Sequence, residues 1–250
     1  MRSSAASDVY KRQRVMKAVY KELSVDDKFF PVKSAINQMS RWKDQLISPE
    51  EALKTPARDT KGALAAKVYA AYEKKLKEAG AFDFDDLIYQ TVILLSEHED
   101  VREFYQNKYK YLLVDEYQDT NYAQYVIIRR LSQLHSKVCV VGDDAQSIYS
   151  FRGAKIENIL SFQKDFPDAM VFKLEQNYRS TRTIVDAANS VIVRNSKRME
   201  KHCFSEGDKG EPIRILKAYT DREEAEMVVS DLRDKIRQTG DEWSEAVILY

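Results

Sequence analysis

The sequence predicts an α/β fold with a helical region in front of it. Three observations carry that prediction. Apolar residues recur at helical spacing from about 14 to 97. From Tyr109 the pattern changes to short β-type runs alternating with amphipathic segments. The apolar run 111–114 ends abruptly in two adjacent acids, Asp115 and Glu116.

The helical part is marked by sets such as Leu64, Val68, Tyr69, Tyr72 and Leu76, three and four residues apart. Pro31, Pro49 and Pro56 mark its helix boundaries. Strands are expected near 111–115, 137–141 and 170–174, and helices near 122–134, 156–166 and 181–195. That βαβα order argues a parallel sheet with covered faces. A strand near 212–217, a helix near 221–238 and a strand near 245–250 begin a further α/β unit. The last strand has no helix after it, so the chain is expected to be an internal piece of a longer protein. Residues 1–13 resemble translated adapter sequence and are set apart as a non-native leader. They have no apolar core of the kind a secretory signal needs.

Forty basic residues balance forty acidic ones, so bulk charge does not point to nucleic acid. Between Lys11 and Asp44 nine Lys/Arg face four Asp/Glu, which is a solvated helix face or a DNA-facing surface. The two cysteines, Cys139 and Cys203, fit no metal spacing and no disulfide framework, which suggests a reducing, cytoplasmic setting. Cys139, inside the run 138–141, is expected to be a buried thiol. No apolar stretch is long enough to span a bilayer.

A buried parallel strand delivers side chains to its carboxyl end, where open α/β sheets place their ligands. In P-loop NTPases an aspartate there holds Mg²⁺ on the nucleotide phosphates. Asp115 suits that task, and Glu116 suits the attacking water, so ATP hydrolysis is suggested. Ordinary strand-to-turn capping is the alternative. The second strand ends in 141–154, Val-Gly-Asp-Asp-Ala-Gln-Ser-Ile-Tyr-Ser-Phe-Arg-Gly-Ala. Gly142 permits a tight turn, and Gln146 can bond both a phosphate oxygen and a water. Tyr149, Phe151 and Arg152 bring two aromatic faces and a cation together, as single-stranded nucleic acid requires; the alternative is a pair of core aromatics under a loop. The third strand runs into Glu175-Gln176-Asn177-Tyr178-Arg179-Ser180-Thr181. Tyr178 could stack on adenine and Arg179 could reach a γ-phosphate, the alternative being an Arg179–Glu175 pair. Thr181 or Ser180 would cap the next helix.

The order of these blocks, together with 80–87 (Gly-Ala-Phe-Asp-Phe-Asp-Asp-Leu), strongly resembles the superfamily 1 DNA helicases of the UvrD/PcrA/Rep type. The resemblance runs from about 14 to 250. It implies a RecA-like P-loop NTPase core at 98–180, a helical insertion subdomain at 14–97 and the start of a second RecA-like motor domain at 181–250. It implies that Asp115 coordinates Mg²⁺, that Glu116 acts on the hydrolytic water, and that Gln146 senses the γ-phosphate. Tyr149, Phe151 and Arg152 would contact single-stranded DNA; Phe151 stands where the family often has tryptophan. Tyr178 would pack on adenine and Arg179 would be the arginine finger. The implied function is ATP-driven 3′-to-5′ translocation and unwinding at single/double-strand junctions, in a bacterial cytoplasm, with DNA repair proteins as partners. The helicase part of a helicase–nuclease and a motor-dead single-strand-binding module remain as alternatives. One departure is plain: none of the seven glycines belongs to a Gly-x-x-x-x-Gly-Lys-Ser/Thr loop. The chain by itself is therefore expected to bind ATP poorly and not to unwind DNA.

Overall fold

The computed structural model describes residues 5–57, 59–196 and 198–248, with side chains from residue 12 onward. It divides into two compact units, one of residues 1–172 with 196–200, the other of 173–195 with 201–250. In the first, six helices precede any strand: α1 (Ala5–Glu22), α2 (Val32–Asp44), α3 (Pro49–Lys54), α4 (Thr60–Glu78), α5 (Phe84–Glu97) and α6 (Glu99–Lys108). The prolines act as expected. Pro31 immediately precedes α2, Pro49 is the first residue of α3, and α3 stops before Pro56. At such positions the missing N–H costs nothing and the fixed φ is already helical.

The apolar stripe of α4 closes one core. Val68, Tyr69 and Tyr72 are buried against Met16 and Val19 of α1 and Ala35 and Met39 of α2. Trp42 stacks on Tyr69 with ring centroids 5.6 Å apart. A charged knot lies beside this core. Lys43, only 1 % exposed, ion-pairs with Asp86 at 2.7 Å, Glu73 at 2.7 Å and Asp83 at 3.1 Å. Burial pushes the Lys43 ammonium down, but Asp83, Glu73 and Asp86 outweigh it and hold it above its ordinary value. Asp83 and Asp86 also cap α5 reciprocally, each carboxylate accepting the other's backbone N–H. Burial pushes Glu73 up to about 7 although Lys43 opposes it. Too few cations serve this cluster to keep every carboxylate ionised. The basic excess of 11–44 is thus partly internal. Arg12, from the stretch that composition sets apart, pairs with Asp85 at 2.8 Å, and α1 runs through Gln13 without a break.

Two parallel strands follow, β1 (Leu112–Val114) and β2 (Val138–Val140), in register Leu112↔Val138 to Val114↔Val140. Between them runs α7 (Tyr122–Ser132), and after them α8 (Glu157–Leu160) and α9 (Phe162–Asp165). The long helix expected at 156–166 is broken into these two short pieces at Ser161. The second unit holds α10 (Arg182–Ile192) and α11 (Asp221–Thr239), with one isolated parallel bridge, Gln176↔Phe204.

The expected larger parallel sheet is not formed: among the described residues the molecule is mostly helical, with a two-stranded parallel sheet. No strand occurs at 170–174 or 212–217, where Met170, Phe172, Leu174 and Ile215 are exposed. At the expected 245–250 strand, Trp243–Glu245 is a 3₁₀ turn and 246–248 is irregular; 249–250 lie outside the described residues. A strand exists only through its ladder, and among the described residues none of these segments is paired with another strand. Cys139 is exposed, contrary to the buried thiol expected, because the two-stranded sheet leaves in solvent the face that it shares with its register partner Leu113.

Candidate functional site

The carboxyl ends of β1 and β2 lie side by side. The ladder continues past them: the Val141 N–H donates to Val114 O at 2.8 Å, and the Tyr117 N–H to Val141 O at 3.0 Å. Asp115 and Glu116 therefore face the turn that starts at Gly142. Both are exposed, and Asp115 Oδ1 accepts the Glu116 N–H at 2.9 Å. A hard divalent cation prefers such carboxylate oxygens, so Asp115 fits a Mg²⁺ ligand by donor type and exposure.

Glu116 is held in the left-handed region, φ 50° and ψ 41°. A non-glycine residue there costs of order 1 kcal/mol, and such strain clusters at functional sites. The surrounding bonds enforce it, since Glu116 O accepts the Asp119 N–H at 2.9 Å while the next amide is fixed to Val141. The chain then makes a 3₁₀ turn, Tyr117–Asp119, and enters α7 through Asn121. Asn121 and Gln124 form a capping box, and Asn121 Nδ2 donates to Asp44 Oδ1 at 2.7 Å. This bond ties the helical region to the end of the acidic loop. Burial, with the Asp85 charge adding to it, pushes Asp44 up to about 6.

Gln118 escaped the sequence reading. It sits in the polar tail after the acid pair, yet it is fully buried. Its Nε2 donates to Glu116 Oε2 at 2.8 Å, and its Oε1 accepts the Asp143 N–H at 3.0 Å. Asp143 Oδ2 in turn accepts from Gln146 Nε2 at 2.9 Å. A hydrogen-bonded chain thus links Glu116 to Gln146 across the two strand ends. Gly142 is required by this approach: a Cβ there would lie 2.5 Å from Gln118 Oε1 and 3.2 Å from the Tyr117 nitrogen. The signal for Gln118 was an uncharged amide between carboxylates, which can donate to one group and accept from another.

Four residues beyond Gln146 a 3₁₀ turn, Ser150–Arg152, begins. Tyr149 and Phe151 are exposed rather than core, their centroids 5.9 Å apart, and the Arg152 guanidinium lies 5.1 Å and 5.4 Å from the two rings. Gly153 closes the turn at φ 86° against Asp44, whose Oδ2 would be 2.8 Å from an added Cβ. The structure therefore brings Asp115, Glu116, Gln146, Tyr149, Phe151 and Arg152 onto two neighbouring loops.

Tyr178 and Arg179 belong to the second unit. Tyr178 is 86 % exposed, with its hydroxyl on Gln176 Oε1 at 2.8 Å. Asn177 Oδ1 accepts the Arg179 and Ser180 N–H groups at 3.0 and 2.8 Å, which fixes the turn and leaves the Arg179 side chain exposed. Glu175 is not the partner of Arg179; it accepts the His202 N–H at 2.7 Å. Thr181 occupies the N-cap of α10 without a side-chain cap bond. Carbonyls of Asp208 and Lys209 take the Arg182 and Thr183 N–H groups instead. Gly210, at φ 74°, lets that loop press against Thr181.

The first of two parallel strands ends in adjacent acids, beside a glutamine loop and an aromatic–arginine turn, and the comparisons name the family that the chain belongs to. The UvrD/REP helicase N-terminal domain family matches residues 2–167, and the UvrD-like helicase C-terminal domain family matches 172–250. The chain belongs to the UvrD/REP helicase family. It is 44 % identical over 239 residues to the ATP-dependent DNA helicase PcrA of Staphylococcus aureus strain Mu50, covering 96 % of this chain and 32 % of that protein. The protein of the same name from Staphylococcus epidermidis strain ATCC 12228 aligns with the same identity and cover. The chain thus spans about a third of the length of these relatives.

Proposed function

We propose that these residues are part of an ATP-dependent 3′-to-5′ DNA helicase, with a RecA-like motor core, a helical insertion and part of a second motor domain, divided near 14, 98 and 181. Asp115 holds Mg²⁺ and Glu116 deprotonates or orients the attacking water. Gln146 reports the γ-phosphate to the turn of Tyr149, Phe151 and Arg152, which grips single-stranded DNA at a junction. Tyr178 packs on adenine and Arg179 stabilises charge on the transferring phosphoryl group. The bound cation would neutralise phosphate charge. Everything else is the work of side chains that orient water, bases and phosphates. DNA repair proteins in a bacterial cytoplasm are the partners this reading implies.

The hydrogen-bonded chain from Glu116 to Gln146 carries the proposal. It connects a carboxylate suited to water with a loop whose far end displays stacking surfaces and a cation. A purely structural acid pair has no use for such a connection. The 250 residues contain no Gly-Lys-Ser/Thr phosphate loop, so the chain alone is expected to bind ATP poorly and not to unwind DNA.

The test is single-strand-stimulated ATP hydrolysis by a full-length protein carrying these residues, wild type against Glu116→Gln. Turnover should fall by at least about 100-fold with ATP affinity kept. Stimulated turnover that survives the substitution would refute the role of Glu116. Single-strand affinity indifferent to nucleotide would favour the motor-dead binding module instead.

A further inference from the structure

We propose that Gln118 is the positioning residue of the hydrolytic carboxylate, and that it makes Glu116 and the 142–152 loop move as one body. The proposal rests on the reading of Glu116 given above.

Gln118 has no solvent contact, so its amide must find both partners inside the protein. It donates to Glu116 Oε2 at 2.8 Å and, at the longer 3.4 Å, to Asp119 Oδ2, and it accepts the Asp143 N–H at 3.0 Å. Its backbone carbonyl accepts from Ser147 Oγ at 3.3 Å, a second anchor on the same loop. Glu116 itself is exposed and sits on a strained backbone. An exposed glutamate has three rotatable side-chain bonds, and a fixed donor on one oxygen removes most of that freedom. The second oxygen is then presented in a defined direction. Any displacement of Asp143 pulls on the amide that holds Glu116. Asp143 is also bonded to Gln146, and the loop leads within a few residues to Tyr149, Phe151 and Arg152. Gly142 completes the argument, because its missing side chain is what admits the Gln118 amide.

Two substitutions separate the two ends of Gln118. Gln118→Met keeps the volume and loses all three side-chain bonds. Gln118→Glu keeps an oxygen for the Asp143 N–H but loses the donor to Glu116 and sets two carboxylates together. In the full-length protein both variants should lose about 10- to 100-fold in kcat, the usual cost of removing a supporting partner, with KM for ATP unchanged within threefold. Stimulation by single-stranded DNA should vanish in Gln118→Met and persist, on a lower baseline, in Gln118→Glu. In the 250-residue chain, hydrogen exchange of the Asp143 amide should accelerate at least tenfold in Gln118→Met and stay slow in Gln118→Glu. The Val141 amide, bonded to Val114, is the internal control for folding.

Wild-type kcat in Gln118→Glu, or KM rising in step with the fall in kcat, would overturn the positioning role. Unchanged Asp143 exchange or unchanged stimulation in Gln118→Met would overturn the link to the loop. A full-length wild type with no ATPase sinks the hydrolytic reading and this role with it. In that case the exchange result still separates a wrong chemistry from a wrong geometry.

Discussion

The helical region and the strand-bearing region of the first unit solve the burial problem differently. In α1–α5 apolar and charged groups alike are enclosed: Tyr69 and Tyr72 are fully buried, and Lys43 lies inside with its acids. At the strands Leu113 is 81 % exposed and Cys139 and Val141 are exposed too. Parallel strands carry apolar side chains on both faces because both are normally covered. One region is held by its own packing. The other has a small apolar core of its own around Tyr117, Ala123 and Phe162, and is held besides by hydrogen bonds between loops and by its contacts to the first. The difference teaches that the frame and the chemistry are stabilised by different forces.

The sharpest way to break this comparison is to remove the buried cation. Lys43→Met takes the buried cation from three carboxylates, of which only Asp83 keeps a second one, Arg12 at 3.5 Å, and should destabilise the helical region by about 3–5 kcal/mol, read by urea unfolding. A loss under about 1 kcal/mol would mean the knot is solvated and the contrast false. Next come paired truncations. Met39→Ala, in the buried core, should cost about 2–5 kcal/mol. Leu113→Ala should leave the midpoint unmoved, because that side chain is mostly in water already. Equal effects would show that β1 is covered in solution. Gly142→Ala should cost about 1–3 kcal/mol through the clash with Gln118, seen as a lower Tm.

The smaller effect concerns pH. The folded-state pKa of Asp44, about 6, lies above its usual 3.8. Between those values the folded chain keeps a proton that the unfolded chain releases, so stability falls as pH rises through that window and is level above it. The full shift would be worth roughly 3 kcal/mol. Partial exposure reduces this to about 1–2 kcal/mol. Asp44→Asn should reduce that slope, leaving the part that Glu73 contributes with the same sign, while preserving the frame around Asn121. An unchanged slope between pH 4 and 6 would place the titrating group elsewhere. Least of all should Lys74→Ala matter, since its pair with Glu78 is exposed on both sides and 3.9 Å long.

What could be read in the sequence was local. The stripe Leu64–Val68–Tyr69–Tyr72–Leu76 and the three prolines are statements about neighbours along one helix, and they hold. The Asp115–Glu116 turn and the Tyr149–Phe151–Arg152 cluster follow from short segments in the same way. Pairings across the chain were not legible. Nothing near Lys43 announces that Asp83 and Asp86, some forty residues on, will surround it. The runs at 170–174 and 212–217 have strand composition, but composition does not supply a neighbouring strand. Gln118 looked like one polar residue in a polar tail, because its two partners come from different loops.

The enclosure of Lys43 has a practical consequence. Dissolved ions screen charges that water can reach, over about 3 Å at 1 M salt, and act far less on buried pairs. The single-strand binding proposed for Arg152 and its neighbours would depend on released counterions and weaken steeply with salt. Ionic strength therefore becomes a selective reagent. A salt wash should strip nucleic acid from the aromatic turn and leave the scaffold beneath it standing, ready to be reloaded by dilution.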